Sequence, residues 1–155
     1  VKLIIAPHVI DENHLVEIIR KLKRPYVRYT RANEKNVRKA DCLIIDCFGL
    51  LSSIYRYGEI AYIGGGFGVG IHNTLEAAVY GIPVIFGPKY QKFQEAIQLL
   101  ETKGAFSVKD YEELKTLLDR MLTDEVFLRE SGMNASNYVT SNAGATDKIM
   151  SMINF

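Results

Sequence analysis

The stretch IAYIGGGFGVGIHNTLEAAVYGIPVIF, residues 60–86, passes from a short apolar run through a loop in which five of the seven residues 64–70 are glycine. A segment of helical spacing and a second apolar run follow. Apolar runs as short as Ile60–Ile63 and Val84–Phe86 read as strands buried on both faces. With a helix between them they form a strand–helix–strand crossover, the connection that parallel strands require. That unit sets the fold class.

The same alternation extends in both directions. Strands are expected at Leu3–Ala6, Tyr26–Tyr29, Leu43–Asp46 and Ala105–Val108, and helical spacing at Glu12–Lys23, Leu51–Tyr57, Thr74–Tyr80 and Phe93–Lys103. After Val108 the pattern is helical only, over Tyr111–Leu122, Val126 to about Tyr138, and Ala145–Ile153. The expectation is an α/β, Rossmann-like three-layer domain, with one parallel sheet of about six strands, helices on both faces and a helical C-terminal tail. Asp11, Asp110 and Asp124 stand where helix N-caps belong, and Gly104 follows Lys103 as a helix-ending glycine would. No repeat, low-complexity tract or linker divides the chain, so residues 1–155 read as one domain.

Composition narrows the class. With 48% hydrophobic and 24% charged residues, 155 residues suffice for a globular core. The apolar runs fall far short of the roughly 20 residues a bilayer helix needs. No targeting peptide is visible, and a start on Val1 directly into a strand-like run suggests a piece of something longer. The net charge is +1, yet residues 1–40 hold ten Lys and Arg against four Asp and Glu. A solvated helix face around Arg20, Lys21, Lys23 and Arg24 is the simpler reading, and a surface facing phosphates is the sharper one. Nucleic acid is disfavoured, because no aromatics interleave with base-reading side chains. Cys42 and Cys47 have no second pair or suitably spaced histidine, which favours thiols in a reducing cytoplasm over a disulfide or zinc site. His14 reads as a surface residue of the first helix.

The glycine loop follows a strand and precedes a helix, the edge at which open parallel sheets bind ligands. It fits neither common phosphate template. A dinucleotide fingerprint from Gly64 and Gly66 would need glycine at Val69, and a Walker loop would need Lys and Ser or Thr where Ile71 and His72 stand. One remaining reading is structural: Asn73 caps the helix, Glu76 reaches back to its amide, and the glycines make a tight turn. The other is functional: glycines expose amides to a phosphate, the helix dipole adds about 0.3–1 kcal/mol for an anion, and Glu76 accepts from the hydroxyls of a ribose. His72 suits either a phosphate contact or the turn itself. Lys89 and Lys92 suit either a missing positive charge or a solvated surface.

Several motifs then occur in order: Asp46-x-x-Gly49-x-Leu51 followed by Tyr55, then Gly64-Gly65-Gly66, then His72-Asn73-x-Leu75-Glu76-Ala77, then Phe86-Gly87-Pro88 with Phe93 beyond. With Ala6-Pro7-His8 after the first strand, this run resembles the C-terminal half of 3-deoxy-D-manno-octulosonic acid (Kdo) transferases, enzymes of lipopolysaccharide synthesis with the GT-B fold. The resemblance implies a domain binding the nucleotide sugar CMP-Kdo, in an inverting transferase that passes Kdo to a lipid A precursor. It implies no cofactor and no protein-held metal. Gly64, Gly65, Gly66 and Phe67 would lie at the CMP phosphate, His72 and Asn73 would support it from the helix start, and Glu76 would hold the ribose. Pro7 and His8 would border the nucleotide, with His8 standing where many relatives have Arg. The general base and the acceptor site would belong to an N-terminal domain absent from this chain. The full-length enzyme would work at the cytoplasmic side of the bacterial inner membrane, and this domain would be soluble and inactive alone. Two alternatives stay open: the donor domain of a GT-B enzyme using a UDP-sugar, of the MurG kind, and a non-catalytic nucleotide-binding module.

Overall fold

A computed structural model describes residues 1–153. Six parallel strands alternate with helices in the expected order, each strand three residues long. They are β1 (Leu3–Ile5), β2 (Tyr26–Arg28), β3 (Cys42–Ile44), β4 (Ala61–Ile63), β5 (Val84–Phe86) and β6 (Ala105–Ser107). Hydrogen bonding joins them as two groups of three, ordered β1-β3-β2 and β4-β5-β6, rather than as one continuous ladder of six. The chain correspondingly forms two compact units, residues 1–54 and the part from Tyr55 onward.

In the first unit β3 is central, pairing Cys42 with both Leu3 and Tyr26. Helix α1 (Glu12–Lys21) starts at Asp11, whose side chain accepts from the His14 amide, and it sets Leu15 against Cys42 and Ile44. A one-turn helix, α2 (Glu34–Val37), arises where no apolar period announced one. Its signal is local: Asn33 and Asn36 form a reciprocal capping box. A further one-turn helix, α3 (Leu51–Ile54), ends the unit. The one ion pair of this unit with a buried carboxylate lies past the end of β3. The side chain of Asp46, 1% exposed, accepts from Arg28 Nε at 2.9 Å, the Thr30 amide at 2.9 Å and the Thr30 hydroxyl at 2.6 Å. Arg28 also holds Glu12 through Nη1, at 2.8 and 2.9 Å. Burial pushes the Asp46 carboxyl up, but the Thr30 and Arg28 hydrogen bonds outweigh it and hold the group at about 2.

The second unit is built on β5, whose Val84, Ile85 and Phe86 are each 0% exposed. One face packs with Ala77, Ala96, Leu99 and Ala135, and the other face with Val108 and Met121. Around the sheet lie α4 (Leu75–Ala78), α5 (Gln94–Glu101), α6 (Tyr111–Thr123) and α7 (Glu125–Asn142), followed by α8 (Ala145–Met152). Asp110 and Asp124 cap α6 and α7, accepting from the amides of Glu113 and Phe127 at 2.9 Å each. Small residues let α7 approach closely: Ser131, Gly132 and Ala135 are its buried positions, and a Cβ on Gly132 would strike the carbonyl of Gly81. No helix among the described residues is long and apolar enough to cross a membrane.

The end of α5 departs from the expected glycine cap. The Lys103 amide donates to Leu100 O at 3.0 Å and the Gly104 amide to Leu99 O at 2.9 Å, a Schellman motif with Lys103 at the left-handed position, φ 59°. Gly104 is needed one residue later, because a Cβ there would lie 2.7 Å from the Ala135 backbone. Helix packing claims the glycine and leaves lysine in the strained conformation. Lys103→Gly should therefore raise the unfolding free energy by up to about 1 kcal/mol, whereas Gly104→Ala should lower it by about 1–3 kcal/mol. Thermal and urea unfolding of the two variants checks both signs.

Asp46 supplies a second expectation. Its folded value lies below its unfolded one, so its stabilising contribution is whole above pH about 4 and is lost as the pH falls toward about 2. Asp46→Asn should cost about 2–3 kcal/mol at neutral pH and should flatten the acid limb of a plot of stability against pH.

Candidate functional site

The loop between β4 and α4 lies at the carboxyl end of its sheet, as the sequence indicates. Its glycines divide by role. Gly65, at φ +88°, closes a turn in which the Gly68 amide donates to Gly65 O at 2.8 Å, and a Cβ there would strike the Gly70 carbonyl. Gly66 meets Gly87 backbone to backbone: a Cβ on Gly66 would sit 2.6 Å from Gly87 N, and one on Gly87 would sit 2.7 Å from Gly66 C and from the Phe67 ring. Lys89 N donates to Gly66 O at 2.9 Å and fastens the two loops. Gly65 and Gly66 are thus required by the loop itself. Gly64 and Gly68 are not, since added methyls would find nothing nearer than 3.8 and 3.5 Å. Both are exposed. Among the described residues, no hydrogen bond uses the amides of Gly65, Gly66 or Phe67 as donor. The loop therefore offers donors beside an open floor.

The helix after it is shorter than expected. It covers only Leu75–Ala78, because Gly81 takes a left-handed turn at φ +70° and Pro83 leads into β5. One turn sums few peptide dipoles, so the macrodipole adds little to any pull the loop amides exert on an anion. The expected capping box is also rearranged. Asn73 Oδ1 accepts from the Leu75 amide at 3.0 Å, and the Glu76 carboxylate accepts from Asn73 Nδ2 at 3.0 Å instead of from the Asn73 backbone. Glu76 is half-buried and held by one of its oxygens. Thr74, between them, is 1% exposed, and its hydroxyl has no partner among the described residues. His72 is exposed, donates its amide to Gly64 O at 3.2 Å, and sets its ring edge beside Gly64. Phe67, 51% exposed, lies on Gly87.

The structure thus gathers Gly64, Gly65, Gly66, Phe67, His72, Asn73 and Glu76 in one loop and helix start. It adds Tyr55, whose phenol burial and the neighbouring Glu76 charge push up. Tyr55 stood in a recognised motif, but only folding brings it beside Glu76. Pro7 and His8 belong to the first unit, where with Ile45, Cys47, Phe48 and Gly49 they line a cavity of about 270 Å³ past β1 and β3. Gly49 turns there at φ +86°, and Phe48 is 81% exposed.

No family model matches the chain. Curated relatives do. The chain is 38% identical over 124 residues to a 3-deoxy-D-manno-octulosonic acid transferase of Aquifex aeolicus, covering 79% of this chain and 34% of the relative. It is 32% identical over 124 residues to the enzyme of the same name from Rickettsia felis, covering 78% and 27% respectively. The chain therefore spans about a third of the length of the relatives it matches. Among solved structures, the C-terminal CMP-Kdo binding domain of WaaA from Acinetobacter baumannii superimposes with a TM-score of 0.76 at 19% identity. The superposition covers 88% of this chain and 72% of that one, and it establishes a shared fold.

The division among the glycines has a measurable consequence. Gly66→Ala should lose about 1–3 kcal/mol of stability through overpacking, whereas Gly64→Ala should leave the melting temperature unchanged or raise it slightly. If the floor at Gly64 serves a ligand, that variant weakens nucleotide binding without weakening the fold, and calorimetry on the pair separates the two effects.

Proposed function

We infer, from a chain homologous to the Kdo transferases, that this is the donor-binding half of such an enzyme, holding CMP-Kdo for transfer of Kdo to a lipid A precursor. The observation that carries the reading is the β4–α4 loop. Unused amides and an open glycine floor lead directly into the helix start that carries the half-buried Glu76 carboxylate. A phosphate on the loop and a ribose at Glu76 suit one nucleotide. Gly65, Gly66 and Phe67 take the CMP phosphate, and Glu76 takes the ribose while Asn73 fixes its other oxygen.

Transfer breaks the bond between the anomeric carbon and a phosphate oxygen, and negative charge develops on the departing CMP. Fixed amide donors aimed at that oxygen stabilise the charge without reorganising. A general base that activates the acceptor hydroxyl for an inverting attack belongs to the N-terminal half of the enzyme, as do the lipid A precursor site and the contact with the inner membrane. The chain by itself binds donor and does not turn over. Glu76 steadies Asn73, whose own side chain accepts from the Leu75 amide at the helix start, and serves the ligand as well.

Titration with CMP, UMP and inorganic phosphate tests the reading. CMP should bind more tightly than either of the others, and equal binding of the three at millimolar concentrations would overturn the cytidine assignment. UMP preference would point to a UDP-sugar enzyme instead. Glu76→Ala should weaken CMP by about 1–3 kcal/mol, whereas unchanged affinity with a lowered melting temperature would leave Glu76 as a cap alone.

A further inference from the structure

The loop after β5 shapes a recess of about 260 Å³ in the second unit, lined by Gly68, Val69, Lys89, Gln91, Lys92 and Phe93. We propose that this recess takes the acidic sugar of the donor, with Lys89 and Lys92 reading its carboxylate. The proposal rests on the donor-binding reading above and deepens it. It also turns the pair of lysines from a solvated surface into the element that distinguishes an acidic sugar from a neutral one.

Three observations support it. The recess has a fixed frame: Lys89 N is tied to Gly66 O at 2.9 Å, Gln91 Nε2 donates to Pro88 O at 2.8 Å, and Phe93 N donates to Tyr90 O at 2.8 Å. The Phe93 ring closes on Gly70, where a Cβ would lie 3.0 Å from it. Its charge is one-signed. Among the described residues neither Lys89 nor Lys92 forms an ion pair, although Lys2, Lys109 and Lys115 each hold a carboxylate. No carboxylate lines the recess.

The third observation is position. Gly68 belongs both to the glycine loop and to the wall of the recess, so one ligand can lay its phosphate on the loop and its next group between the lysines. The volume, equal to roughly nine waters, is on the scale of one sugar ring. An octulosonic acid carries a carboxylate at that point, and a neutral hexose does not. A carboxylate bound in a recess lined by two lysines and no acid gains charge-assisted hydrogen bonds from whichever ammonium groups reach it.

Calorimetric titration of the 155-residue chain, Lys89→Gln, Lys92→Gln and the double variant with freshly prepared CMP-Kdo and with CMP tests the proposal. The wild type should bind CMP-Kdo more tightly than CMP, and the double variant should lose about tenfold for CMP-Kdo while CMP changes by less than about twofold. Equal weakening of both ligands would assign the lysines to the phosphate and overturn the proposal. Unchanged CMP-Kdo binding in the double variant, with CMP bound as expected, would overturn it while leaving the donor-binding reading intact. A wild type that binds neither nucleotide preferentially would overturn both, and unchanged melting temperatures establish that the variants fold.

Discussion

Two loops at the carboxyl ends of β4 and β5 touch backbone to backbone at Gly66 and Gly87, and the rest of the second unit's site is arranged around that contact. No side chain fits on either residue. The contact aligns the peptide of Lys89 to donate to Gly66 O, which brings the loop after β5 against the loop after β4. The amides of the first loop and the lysines of the second consequently share an edge. β5 is wholly buried beneath them, so the contact stands on the least deformable part of the unit.

The first unit has a comparable fixed point in Asp46. Its residue type and its place after a strand suit a ligand contact as well as a structural one, but its carboxylate is committed to Thr30 and Arg28 and is 1% exposed. Arg28 in turn reaches Glu12 at the start of α1. One buried charge therefore ties β2, β3 and α1 together, and the cavity beside Pro7 and His8 opens next to that frame.

Much of the architecture was legible in the residues. Six apolar runs became six parallel strands, and the aspartates proposed as caps accept the amides expected of them. Failures had local causes. Strands other than β5 came out shorter than their apolar runs, and the six divide into two ladders. α2 depends on an Asn–Asn capping box with no apolar period to reveal it. α4 stops after one turn because Gly81 and Pro83 end it. Glycine's ease in the left-handed conformation makes Gly104 read as a cap, but there the need to pass Ala135 closely prevails, and Lys103 bears the strain.

By itself the sequence determined the order of strands and helices, the place of the glycine loop between β4 and α4, and its similarity to the Kdo transferases. Those depend on local periodicity and on residue types at fixed spacing, which a linear chain carries in full. Only the tertiary structure decided which glycines serve the fold and which leave room, since that depends on what comes within 3 Å of a missing side chain. It likewise decided that Glu76 is held by the Asn73 side chain, that Tyr55 stands beside it, and that Lys89 and Lys92 share a recess with Gly68. Distances between residues far apart in sequence are set by packing, and no spacing along the chain encodes them.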